Sequence, residues 1–279
     1  ADRLLAEGTE SELLGGKDQI ATVVFTDMRG FSTITEQLGA QGTVQLLNQY
    51  FERMVGCISD HGGLLDKFIG DAIMAGFGIP VPRGDDEDNA LRASISMIEK
   101  LWEWNVERTA SGLLTLDMGV GISTDQVVSG NIGSAKRMDY TMIGDGVNLA
   151  ARLESACKQY NARILLSGHT QERLRGVYRL REIDRVIVKG KTVPVPVWEC
   201  LDYHSDESFP NMSEALGSFN DGMKAYRAAQ WDKAQSAFMA ALDANPNDKL
   251  ADLYVWRCQH LELNPPGDDW DGVWVMTEK

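Results

Sequence analysis

The chain has 279 residues, 43% of them apolar, and a formal charge of -14 at neutral pH. It is long enough for one sizeable core and a second small one, which excludes a largely disordered protein. Its acidity excludes a surface built to follow a nucleic acid backbone, which clustered Lys and Arg would have to hold. A small anion would need metal ions or a local knot of basic residues to be held against that field.

Cys57, Cys157, Cys200 and Cys258 are widely spaced, with no Cys-x-x-Cys pair and no His at a zinc-ligand spacing. They read as reduced thiols of a cytoplasmic protein. No apolar run has the length of a bilayer span and no signal segment opens the chain, so no membrane contact is expected from this piece. The start at Ala1, without a Met, points to a fragment whose upstream regulatory or membrane-anchoring region has been cut away.

In chain order, residues 1–18 read as a connector with a short helix, Arg3 to Glu7, and a flexible Gly15-Gly16. The β-branched run Ile20 to Phe25 predicts a buried strand ending in Thr26-Asp27-Met28-Arg29-Gly30-Phe31-Ser32. From Gly42 to Ile58, the apolar residues Val44, Leu47, Phe51, Met54, Val55 and Ile58 recur at helical spacing. Leu64 to Ile69 and Ala72 to Phe77 predict two strands around a tight Gly70-Asp71 turn. A helix burying Leu91, Ile95, Ile98 and Leu101 follows, and the alternation Leu114, Leu116, Met118, Val120, Ile122 marks a half-buried strand. Val147 to Tyr160 reads as helix, and Val186 to Val188 and Val195 to Trp198 as closing strands. This order predicts an α+β domain over residues 19–202, with helices packed on an antiparallel sheet.

Residues 203–211, polar and containing Pro210, predict a linker. In 212–279, Gly222, Trp231, Ala234, Phe238, Ala241 and Pro246 fall at offsets resembling one tetratricopeptide repeat, a small helical hairpin, with Tyr226 one place late. A single repeat cannot bury its own face, so the segment is expected to pack on the first domain or on a second copy. The tail from Asn264 has no reading.

Asp27 falls where the first strand runs out and Asp71 at a hairpin tip. Carboxylates at adjacent strand ends can hold two hard cations in an oxygen cage. Each also has an ordinary reading: Asp27 as a helix N-cap, Asp71 as a turn residue. Asn148 and Arg152 lie one helical turn apart and share a face. Lys67 interrupts an apolar strand, as an edge device or a snorkelling side chain would.

Phe25-Thr26-Asp27-Met28-Arg29-Gly30-Phe31 and Asp66-Lys67-Phe68-Ile69-Gly70-Asp71-Ala72-Ile73-Met74 closely resemble the two metal-binding motifs of class III adenylyl cyclases. Tyr140 to Glu154 resembles that family's transition-state motif, and Val188-Lys189-Gly190 its phosphate-binding lysine. The four segments follow the family's order over about residues 20–201.

The resemblance implies the ferredoxin-like cyclase fold and conversion of ATP to 3′,5′-cyclic AMP and pyrophosphate with two divalent ions, Mg2+ or Mn2+. It implies that Asp27, Asp71 and the Met28 carbonyl hold the metals, and that the backbone from Met28 to Phe31, with Gly30 and Phe31, cradles phosphate at a helix start. It implies that Lys67 and Thr141 read the adenine, that Asn148 orients the ribose, that Arg152 neutralises charge on the α-phosphate, and that Lys189 reaches the terminal phosphates. In the family the metal aspartates and the purine readers of one site come from two domains. This chain holds each set once, so a homodimer with two equivalent sites is expected. The alternatives are a guanylyl cyclase and a non-enzymatic nucleotide-sensing dimerisation module. The Gly-Gly-Asp/Glu-Glu-Phe signature of diguanylate cyclases is absent.

Overall fold

A computed structural model describes residues 16–134, 137–186, 194–267, 270 and 272. The expected helix at 3–7 and the Lys189 segment lie outside the described residues. The strands are β1 (Lys17–Arg29), β2 (Leu64–Ile69), β3 (Ala72–Phe77), β4 (Asp117–Ser134), β5 (Arg137–Ile143), β6 (Ile164–Ser167), β7 (Leu180–Val186) and β8 (Val195–Cys200). The helices are α1 (Phe31–Asp60), α2 (Asp86–Ala110), α3 (Asp145–Gln159), α4 (Gly168–Arg173), α5 (Met212–Arg227), α6 (Trp231–Ala244) and α7 (Lys249–Leu263).

One sheet runs in the order β2-β3-β1-β4-β6-β8-β7, with β5 paired to the far half of β4. Its pairings are antiparallel except β4 with β6. β1 is central, and Ala21 to Val24 are buried on both faces, so the strand reads as a continuous apolar run rather than an alternation. On one face, Val24, Met118, Val120 and Ile122 pack with Tyr50, Met54 and Ile58 of α1 and Leu91, Ile98 and Leu101 of α2. Helix α2 opens with Asp86, Glu87 and Asp88, which suit the positive end of its dipole, and has Arg108 in its last turn.

Two elements, α1 and β4, are longer than their patterns predict. Helical structure starts at Phe31, ahead of Gly42, and Gly39 (φ 64°, ψ 178°) breaks α1 in two. A left-handed φ there costs glycine little. Strand β4 begins at Asp117 and continues to Ser134, where it pairs with the unanticipated β5.

The C-terminal segment is three helices, where a hairpin was expected, and it shares a core with the sheet domain. The hairpin itself is α5–α6, in which Gly222 makes room for the Phe238 ring: a Cβ there would lie 2.6 Å from it. Phe219, Tyr226, Phe238, Tyr254 and Cys258 pack with Leu149, Leu153 and Cys157 of α3, with Tyr160 just past its end, and with Ile183 and Val197 of the sheet. Buried ion pairs pin the join: Arg181 holds Glu199 at 2.7 Å and Asp248 at 2.6 Å, and Arg257 holds Asp184 at 2.9 Å. Residues 203–211, expected as a linker, bury Tyr203 and Phe209. In the tail, Trp270 packs edge-on to Tyr226 and Trp231.

Candidate active site

Strand order brings the first pair of candidate residues together. β1 pairs β3 up to Thr26 opposite Ile73, so Asp27 at the end of that pairing meets Asp71 in the turn just before β3. Gly70 takes φ 66° to make that turn. Both aspartates are half-buried. Burial, then the neighbouring charge of Asp71 and a hydrogen bond with it, push the Asp27 carboxyl up from 3.8 to about 6, while the Met28 backbone pulls the other way.

A third carboxylate lies within reach of their charge. Glu154, on α3, is pushed from 4.5 to about 7, first by burial and then by Asp27, with Arg29 opposing. It fits because β4 opposes Asp27 with Gly119: a Cβ there would lie 2.8 Å from Glu154 Oε1. Two residues on, Gly121 lets the helix backbone lie directly on the strand, since a Cβ would fall 2.1 Å from Ala150 O. Among the described residues, no three His, Cys, Asp or Glu side chains converge as a ready-made metal cage. An all-oxygen donor pair that repels itself does fit a hard divalent cation, whose charge would relieve that repulsion.

The other candidates occupy other surfaces. Met28 and Arg29 still belong to β1 and α1 begins at Phe31, so the amide cradle expected at Met28 to Phe31 is shifted. The unpaired first-turn N–H groups are those of Phe31, Ser32 and Thr33, and Ile34 N–H is the first to close an intrahelical bond, to Gly30 O at 3.2 Å. Gly30, at φ 67°, turns the chain from strand to helix. Arg29 bonds Asp117 at 3.1 Å and the Ala162 carbonyl, anchoring the strand end. Asn148 and Arg152 are exposed on α3, one turn apart. Leu149 and Leu153 on the same helix are buried in the core shared with α5–α7.

Lys67 and Thr141 meet through a residue that sequence reasoning passed over. Asp66 on β2 accepts from Thr141 Oγ1 at 2.6 Å and from Met142 N–H at 3.3 Å, and its other oxygen lies 3.3 Å from Lys67 Nζ. An acid inside the apolar run Leu64 to Ile69 was the available signal. For Glu154 the signal was weaker: it closes the transition-state-like segment, but nothing in its spacing ties it to Asp27.

One sheet with a carboxylate pair at the β1 and β2–β3 ends, and a polar Asn-x-x-x-Arg face on α3 after β5, defines a nucleotide-cyclising class of domain. The family model for the adenylate and guanylate cyclase catalytic domain matches residues 16–199, and the chain belongs to that family. It is 34% identical over 243 residues to the terminal-differentiation-specific adenylate cyclase of Dictyostelium discoideum, covering 85% of this chain and 11% of that protein. It is 37% identical over 187 residues to an adenylate cyclase of Anabaena cylindrica, covering 64% of this chain and 36% of that one. The chain thus spans well under half the length of these relatives. Among solved structures, the adenylyl cyclase CyaB from P. aeruginosa is 35% identical with a TM-score of 0.63, covering 69% of this chain and 99% of that one. The guanylyl cyclase Cya2 is 38% identical with a TM-score of 0.61, covering 67% and 94%. Among the described residues no helix is long and apolar enough to cross a membrane.

Proposed function

We propose that the chain is an adenylyl cyclase catalytic unit, forming cyclic AMP and pyrophosphate from ATP at sites shared by two copies. The half-buried Asp27–Asp71 pair carries this reading: a protein gains nothing in stability from two repelling acids, and both motifs that supply them match the family. With the Met28 carbonyl they would hold Mg2+ or Mn2+, which when bound supplies positive charge at the ribose 3′-hydroxyl and the triphosphate. The first-turn amides after Gly30, with Phe31, face phosphate. Lys189 reaches the terminal phosphates. Asn148 orients the ribose, and Arg152 neutralises charge developing on the α-phosphate. Lys67 donates to adenine N1 and Thr141 accepts from the adenine amino group.

Two observations support the homodimer. Lys67 and Asp71 lie in one hairpin, yet Lys67 is turned to the surface, its side chain 42% exposed, while Asp71 is half-buried beside Asp27. Strands β2 and β5, which carry Lys67 and Thr141, also leave Phe68, Ile69, Met138 and Ile143 exposed, and a second copy would cover such apolar surface. Residues 19–202 form the catalytic domain in this reading, which the family match supports, and α5–α6 form a tetratricopeptide-like hairpin closed by α7. An upstream regulatory region belongs to the same reading.

The decisive experiment incubates the protein with ATP or GTP and either Mg2+ or Mn2+, and identifies the cyclic product by mass. Cyclic AMP in excess is expected. Dominant cyclic GMP would make it a guanylyl cyclase, and no cyclic product or pyrophosphate from either would leave a nucleotide-sensing module.

A further inference from the structure

A bulge in β2 sets up a buried charge that the cyclase reading leaves without a role. The β2–β3 register runs Leu65 opposite Ala75 and then Lys67 opposite Met74, so Asp66 is the extra residue. A bulge re-aims the side chains beside it. Here Lys67 is left outward, while the Asp66 carboxylate turns inward beneath β5 with its side chain 2% exposed. One of its oxygens, Oδ2, takes both hydrogen bonds, from Thr141 Oγ1 and from Met142 N–H. The other, Oδ1, is buried with no hydrogen bond and faces the Lys67 ammonium at 3.3 Å, outside hydrogen-bond geometry. A buried carboxylate so placed is costly unless it serves a purpose.

A carboxylate can only accept, so Thr141 spends its single hydroxyl proton on Asp66. Its remaining lone pairs can only accept from whatever lies beyond. Adenine offers a donor amino group at C6, where guanine offers an acceptor carbonyl. An unrestrained threonine hydroxyl could rotate to suit either.

We propose that Asp66 is a positioning residue for base selection: by fixing the Thr141 hydroxyl as an acceptor and holding Lys67 beside it, it makes the pocket select adenine over guanine. The inference rests on the reading of Lys67 and Thr141 as the purine-facing pair and deepens it. Asp66 touches neither base nor phosphate.

The test compares kcat/KM for ATP and for GTP in the wild type, Asp66→Asn, Thr141→Val, Thr141→Ser and the Asp66→Asn/Thr141→Val double variant. In Asp66→Asn the amide can donate to Thr141 and release its proton outward, so the ATP-to-GTP ratio should fall roughly tenfold, the size of one redirected hydrogen bond. A purely structural role would lower both substrates together and leave the ratio alone. In the Thr141→Val background, adding Asp66→Asn should move the ratio less than about twofold, because there is no hydroxyl left to redirect.

Asp66→Ala, which leaves the Thr141 proton no acceptor on β2, should lower the ratio as well and tests the same point should Asp66→Asn fail to fold, while Thr141→Ser, which keeps the hydroxyl, should keep the wild-type ratio. An unchanged ratio in Asp66→Asn, an undiminished shift in the double variant, or a Thr141→Ser ratio as low as that of Thr141→Val would overturn the inference while cyclic AMP formation by the wild type stands. A wild type that forms no cyclic nucleotide would overturn the underlying reading as well.

Discussion

Two regions of the molecule hold acids out of water in opposite ways. At the join between β7–β8 and the C-terminal helices, Glu199 and Asp248 share Arg181, and Asp184 has Arg257 and the Tyr160 hydroxyl at 2.6 Å. At the ends of β1 and the β2–β3 hairpin, Asp27 and Asp71 face each other and Glu154 feels the charge of both, with Arg29 as an opposing influence committed elsewhere by its bonds to Asp117 and Ala162. Compensated charge holds two segments together. Uncompensated charge costs stability, and a fold keeps it where a ligand supplies the missing sign.

Breaking the compensated region should have the largest effect. Arg181 is 3% exposed, and Arg181→Ala strands two buried carboxylates. A loss of about 3–5 kcal/mol is expected in urea unfolding followed by circular dichroism. Arg181→Met with Glu199→Gln and Asp248→Asn should recover much of it, because what costs most is the unpaired charge.

In the uncompensated region the outcome inverts. Asp71→Ala should lower cyclase activity at least roughly a hundredfold, about 2.7 kcal/mol of barrier. Its thermal midpoint without metal should stay level or rise, since a repulsion has gone. A midpoint falling as far as that of Arg181→Ala would erase the contrast between the regions.

A smaller effect is pH-dependent. Asp27 is raised from 3.8 to about 6 and Glu154 from 4.5 to about 7. Between those values the folded state binds more protons than the unfolded one. Their contribution to stability is therefore complete below the ordinary carboxylate range and is lost as pH rises through about 6 to 7. The thermal midpoint of the metal-free protein, relative to that of Asp71→Asn, should fall from pH 4.5 to pH 7.5. Mg2+ or Mn2+ should restore it at the upper end by binding the folded state alone.

The smallest expected change is at Lys224, whose ion pair with Asp221 sits in water with both side chains more than two-thirds exposed. Lys224→Ala should shift stability by no more than about 0.5 kcal/mol in the same unfolding assay.

These regions also differ in how far the sequence disclosed them. The carboxylate pair was visible because Asp27 and Asp71 sit at the two most legible boundaries of the chain, the end of the Ile20–Phe25 run and a Gly-Asp turn between strands. The arginine network was hidden. Arg181 and Arg257 are charged residues that any periodicity argument assigns to solvent, and their partners lie 18, 67 and 73 positions away. The same blindness concealed α7, whose apolar residues face two layers at once and blur the helical stripe. It also concealed β5, which pairs with β4 alone and so has no buried alternation to show. Asp66 escaped for a local reason: a bulge flips the inward–outward alternation at one position, which a period-two reading cannot register.

Two of the glycines in β4, Gly119 and Gly121, carry a consequence of their own. Gly119 and Gly121 set the gap between strand and helix by the atoms they lack, and α3 bears Asn148, Arg152 and Glu154 as one rigid rod. A single methyl group at position 121 would act as a wedge under that rod. It would lift every functional group on the rod at once, so the alignment of this site is gauged by an empty space behind it.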